Sequence, residues 1–505
     1  MTRSRIFQIA SVAFLIAIFV TLRVWKMGET CLWFDEIFSV HAATKPWNSI
    51  LDFIALDLIH PPLFYLILKA WIVVGGESVT WLRTLPLGFS VLAILPLFLL
   101  LNTLRQNFNV KLLTLYILII SGSVLKYSLE LRMYSLMFCL SLFSMWLFVR
   151  AVDRKKSILP LIAVNIFLVY THYFGWFVVA SELVAVLLFY RECWKKMFAM
   201  ATITFVAFLP WIAAVLNALA GGSGLAQNIG WMSRPGIREI MTFAFNLVEP
   251  FYYQLGGSES ISNFAVTIPL ILLLAIIASI TLINWKQIDE NDRRLMLVLI
   301  TFVAAPITLA FAISWTSPYS IWGTRHLIIV FAPLFILIAI AASNMPGRVL
   351  RIGLLGCGLL VCLIGEAMDL SREQPRFAWC EAGPITADIS GDTPIYAIED
   401  LIAYHLWFDH RNDVPRRRIV KLDNISGLGE DTAYFLPRGF SDVTRREIDA
   451  VTEPRLWLVE RGRELKETEP PLRNFILKGY RITDRRLVSV TGENVGAFLL
   501  EKLVN

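Results

Sequence analysis

Long apolar runs alternate with short polar turns over roughly the first 370 residues, and then the pattern changes. Eleven runs, at about 6–24, 84–104, 111–127, 133–149, 157–171, 173–190, 197–218, 263–284, 295–315, 325–343 and 350–368, approach the roughly 17–25 residues that cross a ~30 Å hydrocarbon core. The first follows MTRSR, lacks a small-residue cleavage site and is succeeded by further spans, so it reads as a retained helix and not a signal peptide. With the N-terminus inside, the inner segments are MTRSR, 102–111, 150–156, 191–196, 285–294 and 344–351. Each carries at least two basic residues, whereas the longer outer loops are sparsely basic. An odd number of crossings then puts 370–505 on the outer side. The stretch PPLFYLILKAWIVV (61–74) is short for a span and contains Lys69, so it is expected to lie in the interface. Counting it as a crossing would break the charge pattern.

Residues 370–505 are charge-rich, with strand-like stretches at 393–398, 432–437, 455–460 and 495–503 between polar or helical pieces. The expected architecture is a polytopic α-helical membrane domain over 1–369, with interfacial helices in its first outer loop, and a small extracytoplasmic α/β domain over 370–505.

Composition agrees. Of 505 residues, 56% are hydrophobic and 17% charged, with a mean hydropathy of +0.62, which excludes an ordinary soluble enzyme and a disordered chain. The net charge of +6 is too small to suggest nucleic acid. Six cysteines, at 31, 139, 193, 357, 362 and 380, show no C-x-x-C spacing, so neither a disulfide framework nor a zinc site is expected. Cys380 is alone in the tail, which is expected to fold without a disulfide.

On this topology the ionisable residues gather on one side. Asp35, Glu36 and His60 lie in the first outer loop; Lys126, Glu130, Arg132 and Tyr134 flank the next outer turn; His172 and Tyr173 occupy another; Arg325 and His326 open the tenth span at the outer face. Each has an ordinary explanation. Asp35 and Glu36 suit a helix N-terminus, Arg132 has Glu130 beside it, and His172 and Tyr173 fit an aromatic interface belt. His60 precedes a Pro-Pro turn, and Arg325 and His326 could snorkel. Four turns converging at one depth call for more, since charges beside apolar stretches are costly and mark substrate sites.

Arg and His donors at the outer edge of a membrane cavity suit an anionic lipid phosphate. A carboxylate opposite them suits deprotonation of a hydroxyl nucleophile. A sugar linked to that phosphate already carries a weakly basic leaving group, which needs charge stabilisation and no general acid. A glycosidase, in contrast, needs two cooperating carboxyl groups.

The ordered segments WFDEIFSVHAA (33–43), HPPLFYLILKAW (60–71), WLRTLP (81–86), YSLELRMYSL (127–136), YTHYFGW (170–176) and GTRHLIIVFAP (323–333) resemble bacterial type-C glycosyltransferases. The likeness is to the protein O-mannosyltransferase and aminoarabinose-transferase superfamily, and it covers about 30–345. It implies transfer of a sugar from a polyprenyl-phosphate donor on the non-cytoplasmic face, with inversion at the anomeric centre. It gives the central catalytic role to Asp35, with Glu36 beside it, and maps the family's Pro-Pro-Leu segment onto His60–Leu63 and its Arg-x-Tyr turn onto Arg132 and Tyr134. The late Arg-Tyr appears as Arg325-His326, a departure at the second position. For a hydroxyl acceptor Asp35 would be the base; for a lipid phosphate it would position the acceptor or help hold a metal. A divalent metal is compatible with the family, and no ligand spacing here requires one.

The Gly-rich outer loop 219–237 reads either as a lid or as a connector, and it is not a phosphate-binding P-loop. The run Arg416–Arg418 reads as a solvated face. The expected partners are a polyprenyl-phosphate-linked sugar, an envelope lipid, glycan or protein acceptor, and membrane lipids, in a bacterial cytoplasmic (inner) membrane. The rival reading is a transporter or flippase of lipid-linked saccharides, which should place polar groups near the bilayer midplane.

Overall fold

A computed structural model describes residues 3–503 apart from 26, 29, 154–155, 223–228, 231, 251–263, 371–376, 390–391, 429–435, 437–439 and 491. The chain forms two compact units. One comprises Met1–Glu29 and Ala43–Glu373, the other Thr30–Ala42 and Gln374–Asn505.

The first unit is helical throughout. Among the described residues eight helices are long and apolar enough to cross a membrane: Arg5–Val24, Val79–Thr103, Tyr134–Asp153, Arg191–Ala220, Phe264–Ile283, Glu290–Thr316, His326–Ser343 and Arg348–Gly365. Three other expected spans are occupied by shorter apolar helices, Phe108–Ile120, Leu159–Thr171 and Gly175–Phe189. At 1.5 Å per residue these reach only about 20 Å. Two of them end on local features. Ser121 breaks the first, where it bridges to Pro250 and its hydroxyl caps a new short helix, Gly122–Tyr127. His172 adopts an extended conformation and ends the second.

The expected interfacial helix is Leu63–Gly75. Pro61 and Pro62 precede it, and Gly76 terminates it at φ 80°, a conformation open chiefly to glycine. Lys69 is accommodated because its ammonium donates to the Ala43 carbonyl at 3.1 Å and to that of Lys45.

The second unit carries a six-stranded mixed sheet. Its strands are β1 (Ile395–Ala397), β2 (Ile419–Asp423), β3 (Thr444–Glu447), β4 (Arg455–Gly462), β5 (Tyr480–Val490) and β6 (Glu493–Lys502), in the order β3-β2-β1-β4-β6-β5. The pairings β2–β3, β1–β2 and β1–β4 are parallel; β4–β6 and β5–β6 are antiparallel. Three expected strand segments coincide with β1, β4 and β6. The fourth, 432–437, lies almost wholly outside the described residues.

Helix Asp400–His410 is buried at all but one position, a pattern no amphipathic surface helix shows. The reason is that residues 30–42 cover it. His405 lies 2.9 Å from the Leu32 carbonyl through Nε2, His41 Nδ1 meets the Tyr404 hydroxyl at 3.0 Å, and the Phe34 and Tyr404 rings are 5.0 Å apart. A disulfide joins Cys31 to Cys380, 349 residues away, within the same unit. The expectation of a disulfide-free tail is therefore corrected. Spacing rules detect bridges whose half-cystines share a local framework, and here each partner belongs to a different stretch of chain.

Candidate functional site

Six of the candidate residues come together in the membrane unit. Helix Ile50–Asp57 ends at Leu58, whose φ of 64° turns the chain back sharply. The turn brings His60 Nδ1 within 2.7 Å of the Asp57 carboxylate. The Nδ1 proton is donated there, which leaves Nε2 to accept from Arg132 Nη2 at 3.1 Å. Arg132 also donates to the Tyr65 hydroxyl at 3.4 Å. His60, Arg132 and Tyr65 are all buried, so this Asp–His–Arg chain is fixed.

Three imidazoles adjoin one another. The His60 and His172 rings are 5.8 Å apart and those of His172 and His326 are 5.3 Å apart, while Tyr134 lies 6.2 Å from both His172 and His326. His172 Nδ1 accepts from the Phe174 backbone N–H at 3.1 Å, so its proton sits on Nε2. Burial, and then the neighbouring His60, Arg132 and Arg325, hold the His172 imidazole well below its usual pKa. It is neutral at pH 7 and can donate without adding charge. His326 Nδ1 faces the Ile321 carbonyl at 3.3 Å. Arg325 and His326 are only half-buried, unlike Arg132 and His172.

Lys126 is buried, with its ammonium 5.6 Å from the Tyr127 ring centroid, and Tyr127 in turn packs on Tyr134 at 5.3 Å. Tyr173 has a bracing arrangement. Its hydroxyl donates to the Leu58 carbonyl at 3.2 Å and accepts from Trp211 at 3.1 Å, which ties it to the turn that presents His60.

Asp35 and Glu36 belong to the second unit, on helix Phe34–Thr44. Glu36 is buried and its carboxylate accepts from the Trp33 backbone N–H at 3.0 Å, half of a capping box at the start of the helix. Asp35, one residue earlier, is half-buried. Glu36 fixes the first turn and thereby the backbone that carries Asp35. His405, which faces Leu32, is held by burial down to a pKa of about 4, against the opposing pull of the Leu401 and Leu32 carbonyls.

Asp57 and Tyr65 were not among the expected site residues. The one available signal was the i,i+3 spacing of Asp57 and His60 across a turn. Of the loop 219–237, residues 223–228 and 231 lie outside the described residues; Arg234 donates to the Ser317 carbonyl at 3.2 Å. Among the described residues no group of three or more His, Cys, Asp or Glu side chains is placed to hold a metal ion.

Comparison of the whole structure decides the fold. ArnT from Cupriavidus metallidurans bound to undecaprenyl phosphate superimposes with a TM-score of 0.60, covering 96% of this chain and 97% of that one at 11% identity. The chain shares the fold of this ArnT. The apo state of the same ArnT gives a TM-score of 0.54 over the same shares. The Archaeoglobus fulgidus oligosaccharyltransferase tethered to an acceptor peptide matches at 12% identity with a TM-score of 0.49, and this chain spans only 63% of its length. No family model and no curated protein matches the sequence. The likeness to ArnT extends over the membrane helices and the C-terminal sheet alike.

Proposed function

We propose that this chain is an integral-membrane glycosyltransferase that moves a sugar from a polyprenyl-phosphate donor to an envelope lipid, glycan or protein on the non-cytoplasmic face of a bacterial cytoplasmic membrane. The observation that carries the reading is the convergence of Arg132 and Arg325 with His60, His172, His326 and Tyr134. Both guanidiniums act on His172, and a phosphate matches the fork geometry of an arginine. That the ArnT of matching fold binds undecaprenyl phosphate supports the same ligand class here.

Arg132, Arg325 and Lys126 neutralise the donor phosphate, and the neutral His172 with Tyr134 supplies uncharged donors. The acceptor oxygen bonds to the anomeric carbon, the bond from that carbon to the phosphate oxygen breaks, and polyprenyl phosphate leaves with the electron pair. For a hydroxyl acceptor the proton passes to Asp35. Glu36, as the cap of the same helix, positions Asp35.

The disulfide supports the sidedness. Both cysteines must share one compartment, so an even number of crossings separates residues 31 and 380. Seven of the eight long helices lie in that interval, an odd number. Adding Phe108–Ile120, Leu159–Thr171 and Gly175–Phe189 restores even parity, and leaving Leu63–Gly75 in the interface preserves it. Disulfides persist chiefly in oxidising compartments, so the bridge supports an extracytoplasmic position for those cysteines.

The test is release of polyprenyl phosphate from a panel of polyprenyl-phosphate sugars by purified protein in lipid, with an envelope extract as acceptor. Asp35→Asn should lower release about 10²–10⁴-fold, the range of a lost general base, while the protein stays folded. Full activity in Asp35→Asn would remove that residue from catalysis. No release from any donor, with labelled lipid nonetheless crossing the bilayer, would favour the transporter reading.

A further inference from the structure

The transporter reading expects polar groups at mid-depth, and the structure holds one such group. Ser144, Asn165 and Glu182 lie near the middle of helices Tyr134–Asp153, Leu159–Thr171 and Gly175–Phe189, and all three are fully buried. An ionisable side chain in such a position is by default a candidate for an ion or proton path. Its hydrogen-bond inventory gives a different assignment.

Three contacts close a ring. The Ser144 hydroxyl oxygen lies 2.7 Å from Asn165 Oδ1 and 2.6 Å from Glu182 Oε1, and Asn165 Nδ2 lies 2.8 Å from Glu182 Oε2. The second amide proton of Asn165 points to Met200 Sδ at 3.2 Å. The nitrogen–oxygen contact takes its proton from the amide. The two oxygen–oxygen contacts need one proton each, and a serine hydroxyl has one. With an ionised glutamate, two oxygens would meet at hydrogen-bond distance with only lone pairs between them.

We propose that Glu182 is held as a neutral carboxylic acid that closes a three-helix hydrogen-bond clasp, and that it serves no ion or proton path. Glu182 donates its proton to Ser144, Ser144 donates to Asn165, and Asn165 donates back to Glu182. Reversing the Asn165 amide does not alter the count. Its nitrogen would then donate to Ser144, Ser144 to Glu182, and the contact between Glu182 and the amide oxygen would again need the carboxyl proton. A neutral ring carries no net charge into the membrane, so it escapes the desolvation penalty of a buried carboxylate. It also supplies a directional link among three apolar helices, in a setting where hydrophobic association alone is weak.

The assignment is independent of the transferase reading. Infrared difference spectra of wild type against Glu182→Gln, in lipid, should show the carbonyl stretch of a protonated carboxylic acid, unchanged from about pH 5.5 to about pH 7, where an unperturbed glutamate is ionised. Carboxylate bands in its place, or conversion of one into the other within that range, would overturn the proposal. Thermal unfolding gives the second readout. Gln keeps donor and acceptor where the neutral acid has them, so Glu182→Gln should melt within a few degrees of wild type. Glu182→Ala, which strands Ser144 and Asn165, should melt far lower. Equal losses in both variants would count against a neutral ring. A Glu182→Gln variant that folds normally but loses proton-coupled transport of a lipid-linked saccharide would assign the residue to a path instead.

Discussion

Gly175 is the position at which a single methyl group should disturb the site most measurably. It opens helix Gly175–Phe189 immediately after the turn that carries His172, and its N–H donates to the His172 carbonyl at 2.9 Å. The His172 N–H in turn donates to the Leu168 carbonyl at 3.1 Å. A Cβ at 175 would sit 2.8 Å from that same Leu168 oxygen and 2.9 Å from its carbon, where ordinary contact begins at 3.4 Å. The obstruction is backbone, so no rotamer relieves it, and the two helices must part by about 0.6 Å. Over-packing of this kind costs about 1–3 kcal/mol. The displaced carbonyl also carries His172 with it. A misplacement of about 1 Å costs on the order of 10²-fold in rate, so a shift of this size should cost about tenfold. The assay pairs thermal unfolding in lipid with release of polyprenyl phosphate. Gly88→Ala is the control, because an added Cβ there meets nothing within 4 Å. In a helix that change should be neutral or stabilising by up to about 1 kcal/mol. If Gly175→Ala matches Gly88→Ala in both measurements, the close approach is not real and the link from this turn to His172 fails.

Two further outcomes can be measured without a substrate. The denatured, unreduced chain should react with maleimide at four cysteines, 139, 193, 357 and 362, and at six after reduction; Cys31→Ser should cost the second unit about 2–5 kcal/mol. In that unit, burial pushes the Glu460 carboxyl up to about 8, with Arg485 opposing and Glu399 reinforcing the shift. A raised carboxyl pKa gives stability that is complete below the ordinary value of 4.5 and is lost as pH rises through 8, by roughly 1.4 kcal/mol per unit between them. Glu460→Gln should therefore flatten the decline of melting temperature between about pH 5 and pH 8, and an unchanged slope would show that Glu460 does not cause it. The lowered pKa of His405 acts in the other direction, since its contribution is lost as pH falls from 6.5 towards 4.

The membrane fold was legible because lipid imposes a crude rule. Apolar length and Lys/Arg placement survive in any single sequence, and they located each long helix. The breaks at Ser121 and His172 were less visible, because they depend on a bridge to Pro250 and on an extended residue that no local pattern announces. The convergence of His60, Arg132, His172 and Arg325 could be inferred from topology, which returns alternate turns to one face. The order within that cluster could not. Asp57 holds His60 through a left-handed Leu58, a residue type that gives no warning of positive φ. In the second unit the strands β3 and β5 escaped notice because exposed charged residues interrupt their alternation, as the TRRE of β3 illustrates, and β2 because it is only five residues long, buried at four of them, and shows no alternation at all. The association of residues 30–42 with helix Asp400–His410 rests on contacts across more than 350 positions, which periodicity does not encode.

The bridge between Cys31 and Cys380 has a consequence for how the molecule is made. Cys31 emerges early in synthesis, and its partner follows only after 349 further residues have been added. Throughout that interval the segment bearing Asp35 lacks the helix that covers it, since Tyr404 and His405 are translated later still. Every membrane-crossing helix between them is made first. The segment bearing Asp35 is thus made early and covered late, and a ribosome that stalls anywhere along the membrane region leaves Asp35 without its scaffold.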